Sequence, residues 1–296
     1  MPETIKKAEF SVTRFAPSPT GRLHIGHAIA AREAFRFADD QGGKCLLRIE
    51  DIDQTRCKPE FEAGIYEDLR WLGFDWPEPV RRQSDHFDDY TRVLGELREK
   101  GLVYRSFLTR KALNADLDER GIGESPAGER PYPGPVTPMS ADEEEMRVGR
   151  GDSFAWRLSL SACRDYLGAA FDNLSFVEEG SGVMAGEIKA HPEWLGDVVL
   201  ARKDTPTSYH LAVTHDVALQ GISHVVRGRD LEPATDLHVL LQCLLRLPSP
   251  LYHHHDLIRD EAGEKLAKSR VSTPLAQLRE EGADPAALRA MLGFEA

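Results

Sequence analysis

Cysteine is scarce in this 296-residue chain, and the four present (Cys45, Cys57, Cys163 and Cys243) are scattered without any C-x-x-C pair. That spacing supports neither a disulfide framework nor a zinc knuckle. Long apolar runs are also missing: none approaches the roughly 18–20 residues that span a bilayer. The opening stretch, Met1 to Lys7, lacks the apolar core of a secretory signal. A cytoplasmic location with no membrane partner is therefore expected. Positive charge is in deficit, with 37 Lys and Arg against 49 Asp and Glu and a formal net charge of −12. Such a balance argues against indiscriminate nucleic-acid binding, although a local basic patch remains compatible with it. What is left is an ordinary globular composition, 41% hydrophobic and 29% charged, long enough for one large or two modest domains.

The most informative stretch runs from Arg14-Phe15-Ala16-Pro17-Ser18 through a Pro/Gly turn to His24-Ile-Gly26-His27. Phe10 to Arg14 is β-prone. From Ala28 to Asp40, Arg32, Glu33, Arg36, Asp39 and Asp40 fall on one helical face, and Ala28, Ala31, Ala34, Phe35 and Ala38 on the other. Strand, glycine turn and helix start place free backbone N–H groups and a positive dipole end before an anion. Gly26 lets the two imidazoles approach a phosphate chain. Lys44 to Glu50 reads as a buried strand whose carboxyl end, where ligands bind in an open α/β sheet, carries Glu50, Asp51 and Asp53. Glu50 is the expected functional member, and Asp51 reads as part of a solvated turn.

Two amphipathic helices follow, Glu60 to Leu72 and His86 to Lys100, completing a β-α-β-α half-domain that ends near residue 104. Residues 105–195 change texture: a Pro/Gly-rich passage from Gly121 to Pro135, a helix capped at Ser140, and β-like runs at Phe154 to Leu160 and Phe171 to Val177. This reads as an insertion. Alternation resumes over 196–270 with a strand at Asp197 to Arg202, a helix from Ser208 to Gln220, a strand from Ile222 to Arg227 and a Leu-striped helix. Residues 271–296 suffice for two short helices. His253 to His255 read as ordinary strand-end histidines rather than metal ligands. Lys265-Leu-Ala-Lys268-Ser269 suits a polyphosphate, because two lysines can carry charge to phosphoryl oxygens as a transition state forms. The fold class is α/β: a Rossmann-like parallel sheet split by an α+β insertion, with a short helical tail.

His24-Ile-Gly-His27 and Lys265-Leu-Ala-Lys268-Ser269 on a split sheet resemble the two signatures of class I aminoacyl-tRNA synthetases. The words Arg14-Phe-Ala-Pro-Ser18, Leu47-Arg-Ile-Glu50, Tyr209-His-Leu-Ala, Val226-Arg227-Gly and Leu251-Tyr-His-His narrow the resemblance to the glutamyl-tRNA synthetase catalytic domain, from about residue 10 to 275. The short tail is expected to leave no room for an anticodon-reading helical domain. A chain of this size resembles the glutamyl-queuosine tRNA(Asp) synthetases, and Val213 fits, because discriminating glutamyl enzymes usually carry Asn there. The resemblance implies tRNA-independent formation of glutamyl-adenylate from ATP, with magnesium, and transfer of glutamate to queuosine in tRNA(Asp).

Carried over by position, His24, Gly26, His27, Lys265, Lys268 and Ser269 serve ATP. Arg14, Phe15, Ala16, Pro17, Ser18, Glu50, Tyr209 and Arg227 serve glutamate. Arg14 or Arg227 would fork a carboxylate, and Glu50 would accept the α-ammonium. Many family members hold zinc in the insertion. The matching positions here are Ser106, Leu108, Tyr132 and Val136, so no zinc is expected. A monomer is expected. The rival readings are a truncated glutamyl-tRNA synthetase charging tRNA(Glu) and a class I-fold nucleotidyltransferase.

Overall fold

A computed structural model describes residues 10–180, 185–256 and 273–294. The chain opens with β1 (Val12–Phe15), α1 (Ile25–Asp40), β2 (Lys44–Ile49), α2 (Pro59–Trp71), β3 (Arg81–Arg82) and α3 (Phe87–Glu99). It continues through β4 (Val103–Ser106), α4 (Arg110–Glu119), α5 (Ala141–Gly149), β5 (Ala155–Leu158), α6 (Leu160–Leu167) and α7 (Ala169–Asp172). Next come β6 (Ser175–Glu178), β7 (Gly186–Lys189), β8 (Val199–Arg202), α8 (Tyr209–Leu219), β9 (His224–Gly228), α9 (Glu232–Leu245) and β10 (Leu251–His255). Helices Leu275–Glu280 and Pro285–Met291 follow.

β1, β2 and β3 form a parallel sheet in that order, and β7-β6-β10-β9 form a second in which β10 runs parallel to both neighbours. The two sheets meet edge to edge. Ser223 N–H donates to the Val12 carbonyl at 2.9 Å, and Val12 N–H donates to Ser223 Oγ at 2.8 Å. Strand order therefore reverses between β1 and β9, and the crevice at such a reversal is where α/β sheets bind ligands. α1 covers β1 and β2 with Ala28, Ala31, Ala34 and Ala38, all buried. These small side chains let the helix lie close enough for Thr13 Oγ1 to donate to the Ala34 carbonyl at 2.8 Å. Gly43 lets the start of β2 approach the chain before β1, because a Cβ there would lie 1.8 Å from the Ser11 carbonyl oxygen.

Three expectations change. The strand at Val199–Arg202 does not resume the parallel sheet. It pairs antiparallel with β5, which pairs antiparallel with β4, making a separate three-stranded sheet. Conversely β6, read as part of the insertion, joins the main sheet beside β10. Phe171 lies in a helical turn rather than a strand, since the strand starts at Ser175. A strand's own apolar pattern does not name its partner, so the pattern could locate these segments without assigning them to a sheet.

Behind the sheets lies a buried ionic node. Asp216 on α8 is fully buried and accepts from Arg81 Nε, Gln83 Nε2 and Tyr90 Oη, each at 2.9 Å. Arg48 Nε stands 3.9 Å away, and Arg48 itself donates to Glu50 at 2.7 Å and to Gln220 at 3.1 Å. The node ties β2, β3, α3 and α8 together. α8 and α9 meet through His210 Nδ1 and His238 Nε2, 3.2 Å apart. Burial, then the Arg227 charge, pushes His210 down to about 4; the same causes in the same order, with His210 next, push His238 well below its ordinary value. Among the described residues no helix is long and apolar enough to cross a membrane.

Removing one member of a buried ionic set strands the others. Asp216→Ala is accordingly expected to lower the unfolding free energy by about 3–5 kcal/mol, read from the denaturant midpoint; a loss below about 1 kcal/mol would show the node to be energetically neutral. The buried histidines set an acid limit. Unfolded imidazoles titrate near 6.5, so between that pH and about 4 the unfolded chain holds more protons than the folded one. Stability is complete above pH 6.5 and falls as pH drops through this window, by on the order of 3 kcal/mol for His210 alone. Denaturant titrations from pH 7 to pH 4.5 should record that decline, and a flat profile would contradict it.

Candidate active site

The histidines of the first motif have work to do in the backbone. His24 is the N-cap of α1, and its Nδ1 accepts from Gly26 N–H at 3.1 Å; in return His27 Nδ1 accepts from His24 N–H at 3.1 Å. This is a capping box built from two imidazoles. The expectation of free backbone N–H groups at this helix start is thus corrected at His24 and Gly26, whose amides are taken. The same bonds fix the chemistry of the rings. A nitrogen that accepts from an amide carries no proton, so in neutral imidazole the proton resides on Nε2. Burial lowers the affinity of both rings for a second proton, and in His27, where the neighbouring His24 adds to it, the value falls to about 4. Each ring, 3.8 Å from the other, is a neutral Nε2–H donor next to the positive end of α1.

At the β1/β9 reversal a small recess is walled by Arg14, Tyr209, Val213, Thr214, Arg227 and His238, among others. Arg14 is buried and donates through one terminal nitrogen to the Val226 carbonyl at 2.8 Å. Burial first, then Arg48 and Arg227, lowers its pKa to about 10. Arg227 is buried as well and donates to His254 Nε2 at 3.2 Å and Thr235 Oγ1 at 2.6 Å. Among the described residues neither guanidinium has a carboxylate within ion-pair distance. Arg14 Nε and Thr214 Oγ1 are buried without any partner. Two uncompensated cations and two orphaned polar atoms around one small space fit an anion.

The remaining residues expected for glutamate do not line this recess, although Glu50 lies near enough to Arg14 for their charges to interact. Phe15 and Pro17 are buried at the end of β1, Ala16 is partly covered and Ser18 is exposed. The Pro17 carbonyl accepts Glu50 N–H at 3.0 Å, bringing the two strand ends together. Glu50 is not a free acceptor: its Oε1 is engaged by Arg48. Among the described residues its Oε2 has no bond, so one oxygen remains. Asp51 is corrected outright. It is buried and accepts from Ser84 N–H at 2.8 Å, Ser84 Oγ at 2.5 Å and Arg82 at 3.2 Å, and so fixes the chain after β3. Lys265, Lys268 and Ser269 lie outside the described residues. The chain resumes beside the first motif, where Leu275 N–H donates to the Leu23 carbonyl at 2.8 Å and Pro274 bridges His24.

Sequence reasoning missed Arg48, Thr214, His238, Gln242 and His254. A signal existed for two of them: His238 and Gln242 are polar, four apart, on the buried side of a helix whose neighbours there are Leu237, Leu240 and Leu241. Ser106, Leu108, Tyr132 and Val136 all line one pocket of the insertion. None offers a thiolate or imidazole, so the residues present do not fit zinc. Among the described residues no group of three His, Cys, Asp or Glu could hold a metal.

The family model for tRNA synthetases class I (E and Q), catalytic domain, matches residues 11–294. A glutamyl-Q tRNA(Asp) synthetase of Rhodobacter capsulatus is 45% identical over 96% of this chain and 100% of its own length. A glutamate–tRNA ligase of Aquifex aeolicus is 36% identical over 93% of this chain, which spans 55% of that enzyme. Among solved structures, a glutamate tRNA ligase from Elizabethkingia meningosepticum, in complex with its amino acid, superposes with a TM-score of 0.74 at 27% identity. The match covers 96% of this chain and 60% of that one. With a parallel sheet reversing at β1/β9, a histidine-capped helix start and a family match across nearly all its length, the chain belongs to the class I tRNA synthetases (E and Q), within the glutamyl-Q tRNA(Asp) synthetase family.

Proposed function

We propose that this ligase activates L-glutamate with ATP, without tRNA, and transfers the glutamyl group to queuosine in the anticodon loop of tRNA(Asp). The observation that carries the reading is the pair of buried arginines, Arg14 and Arg227, facing one recess with no carboxylate of their own. Glutamate brings the missing carboxylate. Tyr209, at the first turn of α8 and in the same recess, supplies a hydroxyl, and the open oxygen of Glu50 accepts the α-ammonium. Phe15, Ala16, Pro17 and Ser18 are assigned to the same substrate.

In the first step a glutamate α-carboxylate oxygen attacks the α-phosphorus of ATP; the bond to the bridging oxygen breaks and pyrophosphate leaves. The chain's task is to align the reactants and to stabilise charge. His24 and His27 donate Nε2–H to phosphate oxygens, Gly26 keeps the approach open, and Lys268, helped by Lys265 and Ser269, neutralises the leaving pyrophosphate. Magnesium would arrive with the nucleotide. In the second step a hydroxyl of the queuosine cyclopentenediol attacks the glutamyl carbonyl and AMP leaves.

The names of the Rhodobacter and Aquifex relatives support glutamate and tRNA as substrates, and the full-length match to the former favours tRNA(Asp). The 36% identity to the Aquifex ligase sustains a second reading, a truncated enzyme charging tRNA(Glu). For organisation we propose residues 1–104 and 196–270 as the catalytic halves, 105–195 as the connective insertion and 271–296 as the tail. The enzyme is proposed to work as a cytoplasmic monomer.

Glutamate-dependent pyrophosphate exchange is expected without any tRNA, followed by transfer to tRNA(Asp) only when it carries queuosine. Exchange that requires tRNA(Glu), or transfer indifferent to queuosine, would establish the second reading instead. Purified enzyme should contain no stoichiometric zinc by elemental analysis and keep its activity after chelation with magnesium restored. One bound equivalent of zinc would overturn that expectation.

A further inference from the structure

The three histidines that close β10 are not equivalent. His253 and His255 are partly exposed, whereas His254 is buried with its ring between two charged side chains. We propose that His254, held by Glu178, is a positioning residue that fixes the guanidinium of Arg227 and so selects the edge it presents to a bound carboxylate. This rests on the reading above, in which Arg227 binds glutamate.

Sheet pairing brings the three residues to neighbouring strand ends. On the parallel strands β9 and β10, Arg227 stands opposite His254, and β6 ends at Glu178, opposite Tyr252. The set spans three adjacent strands at their carboxyl ends. A guanidinium nitrogen has no lone pair to offer, so Arg227 Nε–H can only donate. His254 Nε2, 3.2 Å away, must then be the bare nitrogen, and the ring proton resides on Nδ1. Nδ1–H donates to Glu178 Oε2 at 2.6 Å. Burial alone would raise the Glu178 pKa. Bonds from the His254 ring, and from the backbone amides of His254 and Gly180 at 2.9 Å, outweigh it and keep the carboxylate ionised. The carboxylate fixes the tautomer, and the tautomer fixes the arginine.

Thr235 completes the clamp. Its Oγ1 accepts from the second terminal nitrogen of Arg227 at 2.6 Å and lies 3.3 Å from His254 Nε2. The edge of the guanidinium formed by Nε and that nitrogen is therefore spent inward. The opposite end, with both terminal nitrogens still carrying free N–H groups, is left for the recess. A planar fork held in this way binds a carboxylate through two parallel bonds and offers a neutral amide one mismatched contact. Neither His254 nor Glu178 is needed as a partner for other buried charge, because Asp216 and Arg48 belong to a separate node.

Pyrophosphate exchange of the full chain, with glutamate, glutamine and ATP varied in turn, tests the assignment. His254→Leu keeps the volume and removes both bonds. It is expected to raise the glutamate KM at least about tenfold, to leave the ATP KM within about twofold and to narrow the preference for glutamate over glutamine. His254→Gln, which can accept from Arg227 and donate to Glu178, should recover part of the loss. Thr235→Val should move the glutamate KM in the same direction, and it decides the matter if His254→Leu fails to fold by circular dichroism. An unchanged glutamate KM in the folded variants, or a fall in kcat with both KM values fixed, would reduce His254 to core packing and overturn the proposal. Wild-type enzyme without glutamate-dependent exchange would instead remove the reading on which it rests.

Discussion

Asp216 is the point from which the architecture hangs. A carboxylate in full burial survives only when its surroundings return what water would have given. Here three donors at 2.9 Å do so, with Arg48 nearby. Because the donors come from β3, the turn after it and α3, the cost of burying one charge becomes a geometric instruction to several elements. Arg48 passes the instruction on, binding Glu50 and so orienting the end of β2 toward the ligand crevice. The buried node thereby reaches Glu50, the residue proposed to accept the α-ammonium.

Local pattern carried much of this. The alanine face of α1, the apolar run of β2 and the Ser208 cap of α8 each follow from spacing and capping preferences. Partnership was not legible. Val199–Arg202 reads as a strand whichever sheet it joins, and only the folded chain sets it antiparallel to β5. Asp51 reads as solvated because two other acids surround it, yet its partners Arg82 and Ser84 come from some thirty residues along the chain. The recess had the same problem. Arg14 and Tyr209 are nearly two hundred positions apart, and nothing local announces that they face one another.

The histidines illustrate a further limit of pattern. A His-x-x-His at a helix start suggests two imidazoles for a phosphate and leaves their charge open. The folded geometry makes them neutral, since each gives one nitrogen to the backbone and keeps one N–H outward. In the proposed mechanism charge neutralisation then falls to arginine and lysine. The imidazoles contribute direction rather than charge.

The seam between β1 and β9 has a mechanical meaning as well. Each sheet is laddered internally, but across the seam the backbone is joined by the Ser223–Val12 exchange, with the Arg14 side chain tied to Val226 beyond it. A dicarboxylate that engages Arg14 on one side and Arg227 on the other spans that junction as a strut. Occupancy then couples to cohesion: the free energy of binding also opposes separation of the two halves. In the proposed binding mode the amino acid would become, while bound, a structural part of the sheet that holds it.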